Sequence, residues 1–522
     1  MSGILHSQAI GDLLRRSARR TPAKTAIVYG DLRQSFAELD AVVNRTANAI
    51  AAKGIVRGDR VAILSHNNHG FVVAYLALAR LGAISVPVNF MLNADEVGYI
   101  FGHAGIVGVI AEDALAPVAA QALVIADLVE RQRLRVFIPE KGTAPPAGWQ
   151  PVGDLMAHDD GRAPEIVVGD DDAIQMLYTS GTESRPKGAV MTSRNLIAQY
   201  MSCIVDGEMA PDDVEIHALP LFHCAQLHCF LTVDLYVGAT SIVLPAPDPA
   251  TILGLIESER VTKFFAPPTV WIALLRHHDF DRRDLSSLRK GYYGASIMPV
   301  EVIKELGRRL PQVRLFNFYG QTEMSPMATL LRPEDQFRKL GSAGKASINV
   351  ETLVVDDDDR PVPVGEVGEI VHRGPHVMKE YWQDPAKTAE SFRNGWFHSG
   401  DLGRLDEEGY LYVVDRKKDM IKTGGENVAS REVEETIYQH PAVSEVAVFG
   451  VPHPRWIEAV VAAVVPRAGQ SVSADDLAVF CRERLAGYKT PKTFVVVEQL
   501  PKNASGKILK RNLRIMYEEI SE

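Results

Sequence analysis

The chain has 522 residues and a formal net charge of −10 at pH 7, with 46% hydrophobic and 23% charged residues. This length exceeds one compact domain, so we expect two or three domains of ordinary globular composition. An acidic protein repels the phosphate backbone, which argues against a nucleic-acid partner. The four cysteines are too few for a disulfide scaffold and predict a reducing, cytoplasmic location.

The start of the chain predicts a short helix rather than a targeting segment. Its first 22 residues contain no run of seven apolar residues, so we expect no signal peptide. Ile10, Leu13 and Leu14 have the spacing of one helical face. The same segment carries four arginines, Arg15, Arg16, Arg19 and Arg20. A solvated helix face is the favoured interpretation of these arginines, and peripheral contact with a membrane surface is the alternative.

Most of the chain alternates between helical and strand patterns. The most apolar run, residues 71–88, carries Arg80 and Gly82, which favours a buried helix and strand over a membrane span. Further helices are predicted over residues 35–55, 249–261 and 299–310. Further strands are predicted over residues 58–64, 262–268 and 313–320. Repeated helix-to-strand steps predict a largely parallel α/β sheet.

The pattern changes in the last third of the chain. Residues 350–374 are typical of strands joined by turns, and the acidic run 356–359 predicts a solvated hairpin tip rather than a metal site. A compact α+β pattern then begins, with Ser430 as a candidate N-cap. Its predicted elements are helices at 430–440 and 473–485 and strands at 443–451 and 458–465. We therefore expect a large domain over residues 1–417 and a small domain over residues 418–522.

A loop rich in hydroxyl groups, YTSGTESRPKG, occupies residues 178–188. Hydroxyl and main-chain N–H groups hold phosphoryl oxygens, glycine permits close backbone approach, and lysine adds positive charge. The candidate phosphate contacts are Thr179, Ser180, Gly181, Thr182 and Lys187. The spacing differs from the G-x-x-x-x-G-K-[ST] loop of P-loop NTPases, and GSAGKA at 341–346 also fails that pattern. A Ser/Thr-rich turn is the alternative for this loop taken alone.

Four further motifs follow the loop: NFYGQTE (317–323), WFHSGDLG (396–403), DRKKDMIKTGGENV (415–428) and PKNASGKILK (501–510). Together the five closely resemble the adenylate-forming (ANL) superfamily, in its acyl-CoA synthetase branch. The resemblance implies an α/β fold with a large N-terminal domain of mixed and parallel sheets, a distorted β-barrel subdomain, and a small mobile α+β C-terminal domain. It also implies a reaction. A carboxylate attacks Mg·ATP to give an acyl-adenylate and pyrophosphate, and a thiol, usually that of CoA, then releases AMP.

The resemblance also implies roles for individual residues. Lys507 matches the catalytic lysine that bridges the substrate carboxylate and the α-phosphate. Glu323 matches a glutamate that holds Mg²⁺, and Thr322 matches a donor to the α-phosphate. Tyr319 offers a flat face to adenine, and Asp401 matches an acceptor for both ribose hydroxyls. The other implied nucleotide contacts are Gly294, Ala295, Ser296, Asn317, Gly320 and Arg416.

The stretch LPLFHCAQLHC contains His223, Cys224, His228 and Cys229, a composition that suggests zinc. Adjacent residues point in different directions on a helix or a strand, so this spacing argues against a zinc site. By resemblance, His223 matches a catalytic-site aromatic beside the carboxylate pocket, and His228 and Cys229 are expected to be packing or pocket residues. The motif lacks the aspartate with which amino-acid-activating relatives bind an ammonium group, so an amino-acid substrate is disfavoured.

The two half-reactions make conflicting demands on one site. Lys507 must be present for adenylation, whereas the thiol of CoA must enter afterwards. The resemblance implies that the small domain rotates about Lys418 between the steps, a hinge-type closure. The rotation exchanges the lysine loop for a glycine loop, whose implied CoA contacts are Lys422, Gly424 and Gly425.

The leading functional hypothesis is an AMP-forming ligase that joins CoA to a medium- or long-chain fatty acid. The alternatives are an aryl or alicyclic acid as substrate, or transfer of the acyl group to an amine or a carrier protein. A non-catalytic nucleotide-binding protein is suggested only by Glu183 and Ser184, which replace the family's usual threonine and glycine. The retained Lys507, Glu323 and Asp401 argue against it. We expect a monomer or a homodimer.

Overall fold

The structure is a computed structural model that describes residues 8–179, 185–296, 298–503, 506–518 and 520. Within them, three β-sheets form before residue 417 and a fourth forms after residue 420. The predicted α/β class, with a large N-terminal part and a smaller C-terminal part, is confirmed.

The bounds of the strands are as follows. They are β1 (Thr25–Tyr29), β2 (Leu32–Ser35), β3 (Arg60–Leu64), β4 (Ile84–Pro87), β5 (Gly108–Glu112), β6 (Leu134–Ile138), β7 (Gln150–Pro151), β8 (Ala173–Thr179), β9 (Lys187–Thr192), β10 (Val214–His217), β11 (Thr240–Val243), β12 (Lys263–Phe265), β13 (Lys290–Gly294), β14 (Arg314–Gly320), β15 (Met327–Leu331), β16 (Lys345–Ala346), β17 (Glu351–Val355), β18 (Gly368–Arg373), β19 (Glu380–Tyr381), β20 (Phe397–Leu405), β21 (Leu411–Arg416), β22 (Ile421–Thr423), β23 (Glu426–Val428), β24 (Val443–His453), β25 (Ile457–Pro466) and β26 (Thr493–Val496).

The helices connect and cover these strands. The α-helices are α1 (Leu13–Arg20), α2 (Phe36–Ala52), α3 (His69–Leu81), α4 (Ala94–Ala104), α5 (Ala116–Ile125), α6 (Val152–Met156), α7 (Ser193–Asp206), α8 (Thr232–Val237), α9 (Pro249–Ser258), α10 (Pro268–Arg276), α11 (Val300–Arg309), α12 (Pro385–Ser391), α13 (Ser430–Tyr438), α14 (Ala474–Arg482) and α15 (Lys510–Met516). Short 3₁₀ turns occupy Ile10–Asp12, Val129–Arg131, Thr322–Met324, Pro333–Asp335 and Arg393–Gly395, and a π-helix spans Ala225–Leu231.

Two large sheets form the body of the molecule. One has nine strands in the order β16-β15-β14-β13-β12-β10-β11-β1-β2, and its strands from β1 to β14 in this order are parallel. The other has eight strands in the order β19-β9-β8-β4-β3-β5-β6-β7, with a parallel segment from β8 to β7. The strand β13 is buried over all but its first residue, as expected for a parallel strand covered on both faces.

Local sequence explains where the elements begin. The predicted helix at 35–55 appears as α2, because Ser35 and Glu38 form a capping box that satisfies the free N–H groups of its first turn. The apolar run at 71–88 appears as α3 followed by β4, both buried, which confirms the prediction. Among the described residues, the structure shows no helix with the length and apolar character needed to cross a membrane.

The remaining sheets belong to the last third of the chain. Strands β17, β18, β20 and β21 form an antiparallel sheet, whose first two strands lie in the region predicted to contain strands joined by turns. Strands β22 to β26 form the fourth sheet, which α13, α14 and α15 accompany. Two hydrophobic clusters in this last part contain only residues after position 420, so it has a core of its own.

One predicted cap is wrong. Ser430 is the first residue of α13 rather than its N-cap, and the N-cap position is Ala429, which has no capping side chain. Instead, Asp415 of β21 accepts hydrogen bonds from the N–H and the hydroxyl of Ser430, both at 2.7 Å. A carboxylate distant in sequence therefore satisfies the start of this helix, and it also ties α13 to β21.

Candidate active site

A cavity of about 1070 Å³ lies where β8, β13 and β14 end. The carboxyl ends of strands in α/β sheets form the usual crevice for ligands. The cavity brings together the predicted residues Thr179, Lys187, His223, Gly294, Ala295, Tyr319, Gly320, Thr322, Glu323, Asp401, Arg416, Lys418 and Lys507. Ser180, Gly181 and Thr182, with the unusual Glu183 and Ser184, lie outside the described residues.

Five predicted site residues that the structure describes do not line this cavity: Ser296, Asn317, Lys422, Gly424 and Gly425. The Asn317 side chain donates to the carbonyl of Ser342 at 2.9 Å and so ties β14 to the loop before β16. Gly424 and Gly425 have φ of 61° and 89° and form the exposed turn between β22 and β23, which explains the glycine pair. In this structure Asn503 and Lys507 line the cavity, whereas the turn that contains Gly424 and Gly425 lies outside it.

Asp401 is held as a hydrogen-bond acceptor at one end of the cavity. The hydroxyl of Tyr319 donates to its Oδ2 at 2.8 Å, and Nε of Arg416 lies 3.4 Å from its Oδ1. Antiparallel pairing of β20 with β21 sets Asp401 directly opposite Arg416. Burial, followed by the charge of Asp401, raises the pKa of Tyr319, so the phenol keeps its proton and remains a donor. The predicted adenine-stacking residue therefore also orients the carboxylate.

A short loop carries Lys507 into the cavity. Its N–H donates to Oδ1 of Asn503 at 2.8 Å, and its carbonyl accepts from the N–H of Asn503 at 2.9 Å. Gly506 has φ of 78°, and a Cβ on this residue would lie 2.5 Å from Oγ1 of Thr269. A glycine is therefore needed both for the backbone conformation and for close packing against the start of α10.

The surroundings of Lys507 disfavour its protonated, charged form. The positive charge of Arg416, together with burial, lowers the pKa of Lys507 from 10.5 to about 8. Burial, and secondarily the charge of Lys507, lowers the pKa of His223 to about 4. His223 is therefore neutral at pH 7. Its Nδ1 accepts from the N–H of Ala225 at 3.3 Å, which assigns the ring proton to Nε2.

Glu323 has the environment of a cation ligand. It is buried, lines the cavity, and its Oε1 accepts a hydrogen bond from the hydroxyl of Tyr381 at 2.8 Å. Mg²⁺ is usually bound by one or two carboxylates together with substrate phosphates, and ligating carboxylates are themselves hydrogen-bonded. Among the carboxylates that line the cavity, Glu323 is the one oriented by Tyr381, and this arrangement fits that chemistry. Next to it, the hydroxyl of Thr322 lies 3.2 Å from Sγ of Cys224.

Another part of the cavity lining is apolar and aromatic. The π-helix places Phe230 in the wall, where its ring stacks on Phe265 at 4.3 Å and on Phe318 at 5.7 Å between centroids. We call these three rings the aromatic wall. Residues Leu177, Phe222, Cys224, Ala225, Cys229 and Met327 also line the cavity. This part of the cavity fits an uncharged, apolar group.

The two histidines of LPLFHCAQLHC point in different directions. His223 lines the cavity, whereas His228 is fully buried behind it, where Nδ1 lies 2.7 Å from the hydroxyl of Tyr200. Cys229 lines the cavity. His223, Cys224 and Cys229 are thus pocket residues, whereas His228 is a packing residue.

Several functional candidates were missed by sequence reasoning. The aromatic wall depends on a π-helix, and AQLHCFL contains no glycine or proline that would indicate one. Tyr381 reaches Glu323 across 58 positions of sequence. Lys387, Glu390 and Arg393 line the cavity from α12 and the turn after it, although their pattern is that of an ordinary helix surface.

Comparisons with known proteins agree with this geometry. The profile of the AMP-binding enzyme family matches residues 14–382, and that of the AMP-binding enzyme C-terminal domain matches residues 432–507. Feruloyl-CoA synthase from Amycolatopsis sp is 39% identical over 98% of this chain and 99% of its own. The long-chain-fatty-acid–CoA ligase FadD13 of Mycobacterium tuberculosis is 36% identical over 97% of this chain and 98% of its own. The crystal structure of ATP-bound MatB from Rhodopseudomonas palustris superposes with a TM-score of 0.88, at 32% identity, over 98% of this chain and 100% of MatB. The chain therefore belongs to the AMP-binding enzyme family of the ANL superfamily and is an AMP-forming acid–thiol ligase of its acyl-CoA synthetase branch.

Proposed function

We propose that this ligase activates an apolar carboxylic acid with ATP, holds it as an acyl-adenylate, and transfers it to CoA. A medium- or long-chain fatty acid is the first candidate for the acid. The observation that carries the proposal is a single cavity with Lys507, Glu323 and Asp401 in one part and the uncharged aromatic wall in another.

Asp401 and Lys507 have distinct roles in the proposed adenylation step. Asp401, oriented by Tyr319, accepts hydrogen bonds from the two ribose hydroxyls and fixes the nucleotide. Lys507 then places an ammonium group between the substrate carboxylate and the α-phosphate. Two unit charges about 4 Å apart repel by about 4 kcal/mol at an effective dielectric constant of 20, and this cation offsets that repulsion.

Neighbouring residues support this step. Thr322 donates to the α-phosphate, and the neutral His223 borders the position of the carboxylate without adding charge. Glu323, oriented by Tyr381, is the residue that would hold Mg²⁺, which supplies positive charge at the phosphates when bound. Lys187 borders the same part of the cavity and supplies a further cation.

The transfer step needs a different arrangement of the small domain. We propose a rotation about Lys418 that withdraws Lys507 and brings Gly424 and Gly425 to the cavity, where two residues without side chains admit the CoA arm. The separate core of the C-terminal part and the exposed position of the glycine turn support this proposal. The proposed boundary between the large domain and the small domain thus lies between residues 417 and 418.

An aryl acid is the second candidate substrate. The aromatic wall offers stacking partners for a planar ring, and feruloyl-CoA synthase is a relative that acts on such an acid by name. The name of another relative, the long-chain-fatty-acid–CoA ligase FadD13, supports a fatty acid as the substrate in the same way. The three phenylalanine rings of the aromatic wall themselves offer no hydrogen-bonding group to a ring hydroxyl.

Release of pyrophosphate and of AMP, measured with a panel of acids with and without CoA, tests the proposal. We expect medium- or long-chain fatty acids to support pyrophosphate release, and AMP release to require CoA. Activity restricted to aryl acids would select the second candidate, and AMP release with an amine but not with CoA would contradict the choice of acceptor. A cytoplasmic location is also proposed, supported by four cysteines that are all free thiols.

A further inference from the structure

Three basic side chains and the carboxylate of Glu390 line the same cavity as Glu323. Lys387 and Glu390 lie on α12, Arg393 lies in the turn after it, and Lys187 begins β9. All four side chains line the cavity.

One member of this group, Lys187, lies near the hydrogen-bond partner of Glu323. Nζ of Lys187 lies 5.6 Å from the centre of the Tyr381 ring, whose hydroxyl is bonded to Glu323. Nζ of Lys387 lies 2.7 Å from Oε1 of Glu390. Lys187 is therefore near the carboxylate that we assign to Mg²⁺, and the charge of Glu390 acts on Tyr381, which is bonded to that carboxylate.

The positive charges of Lys187, Lys387 and Arg393 all act on Glu390. The hydrogen bond from Lys387 is the main cause that lowers the pKa of Glu390, and the charges of Lys187 and Arg393 contribute to the same direction. After burial, repulsion by Lys387 is the next cause that lowers the pKa of Lys187. Two ammonium groups that repel each other are stabilised when an anion lies between them.

An ordinary surface ion pair is the simpler interpretation of Lys387 and Glu390. The chain contains such a pair for comparison, Glu301 and Lys304 on α11, with the same three-residue spacing in the reverse order and the same distance of 2.7 Å. That pair does not line the cavity. Because the two pairs match in geometry, their difference lies in the additional cations and the cavity beside Glu390.

We infer that Lys187, Lys387 and Arg393 form the subsite for the two terminal phosphates of ATP and for the pyrophosphate that leaves, and that Glu390 occupies the anion position until phosphate displaces it. Arg393 is held in place by Asp359 at 3.2 Å and by His398 at 2.9 Å. The inference rests on the proposed function, in which ATP is cleaved to AMP and pyrophosphate. It adds the residues that retain and release the leaving group.

If the subsite exists, substitutions of Lys387 and of Glu390 should change the affinity for pyrophosphate in opposite directions. Lys387→Met removes a cation, so pyrophosphate should bind about tenfold more weakly. Lys387→Arg keeps the charge and should retain most of the affinity. Glu390→Gln removes the competing carboxylate, so pyrophosphate should bind several-fold more tightly. Lys387 and Glu390 are both partly exposed, with 31% and 60% of their side chains accessible, so these variants should fold.

Calorimetric titration of the full-length chain with inorganic pyrophosphate, and separately with AMP, tests the inference. Lys304→Met and Glu301→Gln are the matched controls and should leave pyrophosphate affinity unchanged. AMP lacks the two terminal phosphates, so its affinity should be the same in all variants. Equal pyrophosphate affinities in Lys387→Met, Glu390→Gln and their controls would overturn the subsite, as would a parallel change in AMP affinity. Failure of the wild type to release pyrophosphate with any acid would instead contradict the proposed function.

Discussion

Adenylate formation should decline as the pH rises above about 8, because Lys507 then loses its proton. The positive charge of Arg416, with burial, lowers the pKa of Lys507 from 10.5 to about 8. The protonated form is the active one in the proposed step, so activity is present below this pKa and is lost above it. Without Arg416, the main cause of the lowered pKa disappears.

The size of the effect follows from this pKa. At pH 7 about ten Lys507 side chains are protonated for each neutral one, and at pH 9 the ratio is reversed. The ratio kcat/KM reports ionisations of the free enzyme, so it should fall about tenfold for each pH unit above 8. In Arg416→Met the alkaline decline should move upward by about one pH unit or more, although the overall rate also falls because a ribose contact is lost.

The assay is pyrophosphate release in the absence of CoA, with kcat/KM for ATP measured between pH 6 and pH 10. Arg404→Met removes a cation from the same strand as Asp401 but outside the cavity, and it should leave the decline where it is. A flat alkaline profile in the wild type, or the same decline in Arg416→Met as in the wild type, would refute the reasoning.

Three further substitutions test other parts of the structure. Asp401→Asn should raise KM for ATP by about 10- to 100-fold with a smaller change in kcat, because it weakens charge-assisted bonds to the ribose; an unchanged KM would exclude the ribose role. Glu323→Gln should raise the Mg²⁺ concentration for half-maximal activity about tenfold, and an unaltered Mg²⁺ titration would argue against this ligand. Lys263→Met should lower the free energy of unfolding by about 3–5 kcal/mol, because it leaves Glu215 and Asp234 buried without their shared cation. Denaturant unfolding measures this loss, and wild-type stability would contradict it.

The sequence predicted the α/β class and many of the residues that line the cavity, because both depend on local patterns. The periodicity of the sequence predicts elements that the structure contains, for example the helices α2 and α3. The motifs place Thr322 and Glu323 in the turn after β14 and Asp401 within β20, and the chemistry of these positions can be read residue by residue. Such patterns describe short segments, and parallel pairing then brings the ends of those segments together.

The rest depends on contacts between distant segments. Asp415 replaces Ser430 as the group that satisfies the start of α13, and this follows only from the packing of α13 against β21. The effect of Lys187 on Glu390 and the hydrogen bond between Tyr381 and Glu323 arise in the same way. The π-helix behind the aromatic wall has no local signature in its residues.

The most direct measurement of the central claim compares the two half-reactions in Lys507→Ala. The account predicts that adenylate formation from ATP and acid falls by about a thousandfold or more, whereas thioester formation from supplied acyl-adenylate and CoA stays near the wild-type rate. AMP production from ATP at the wild-type rate, or an equal loss of both half-reactions, would contradict it.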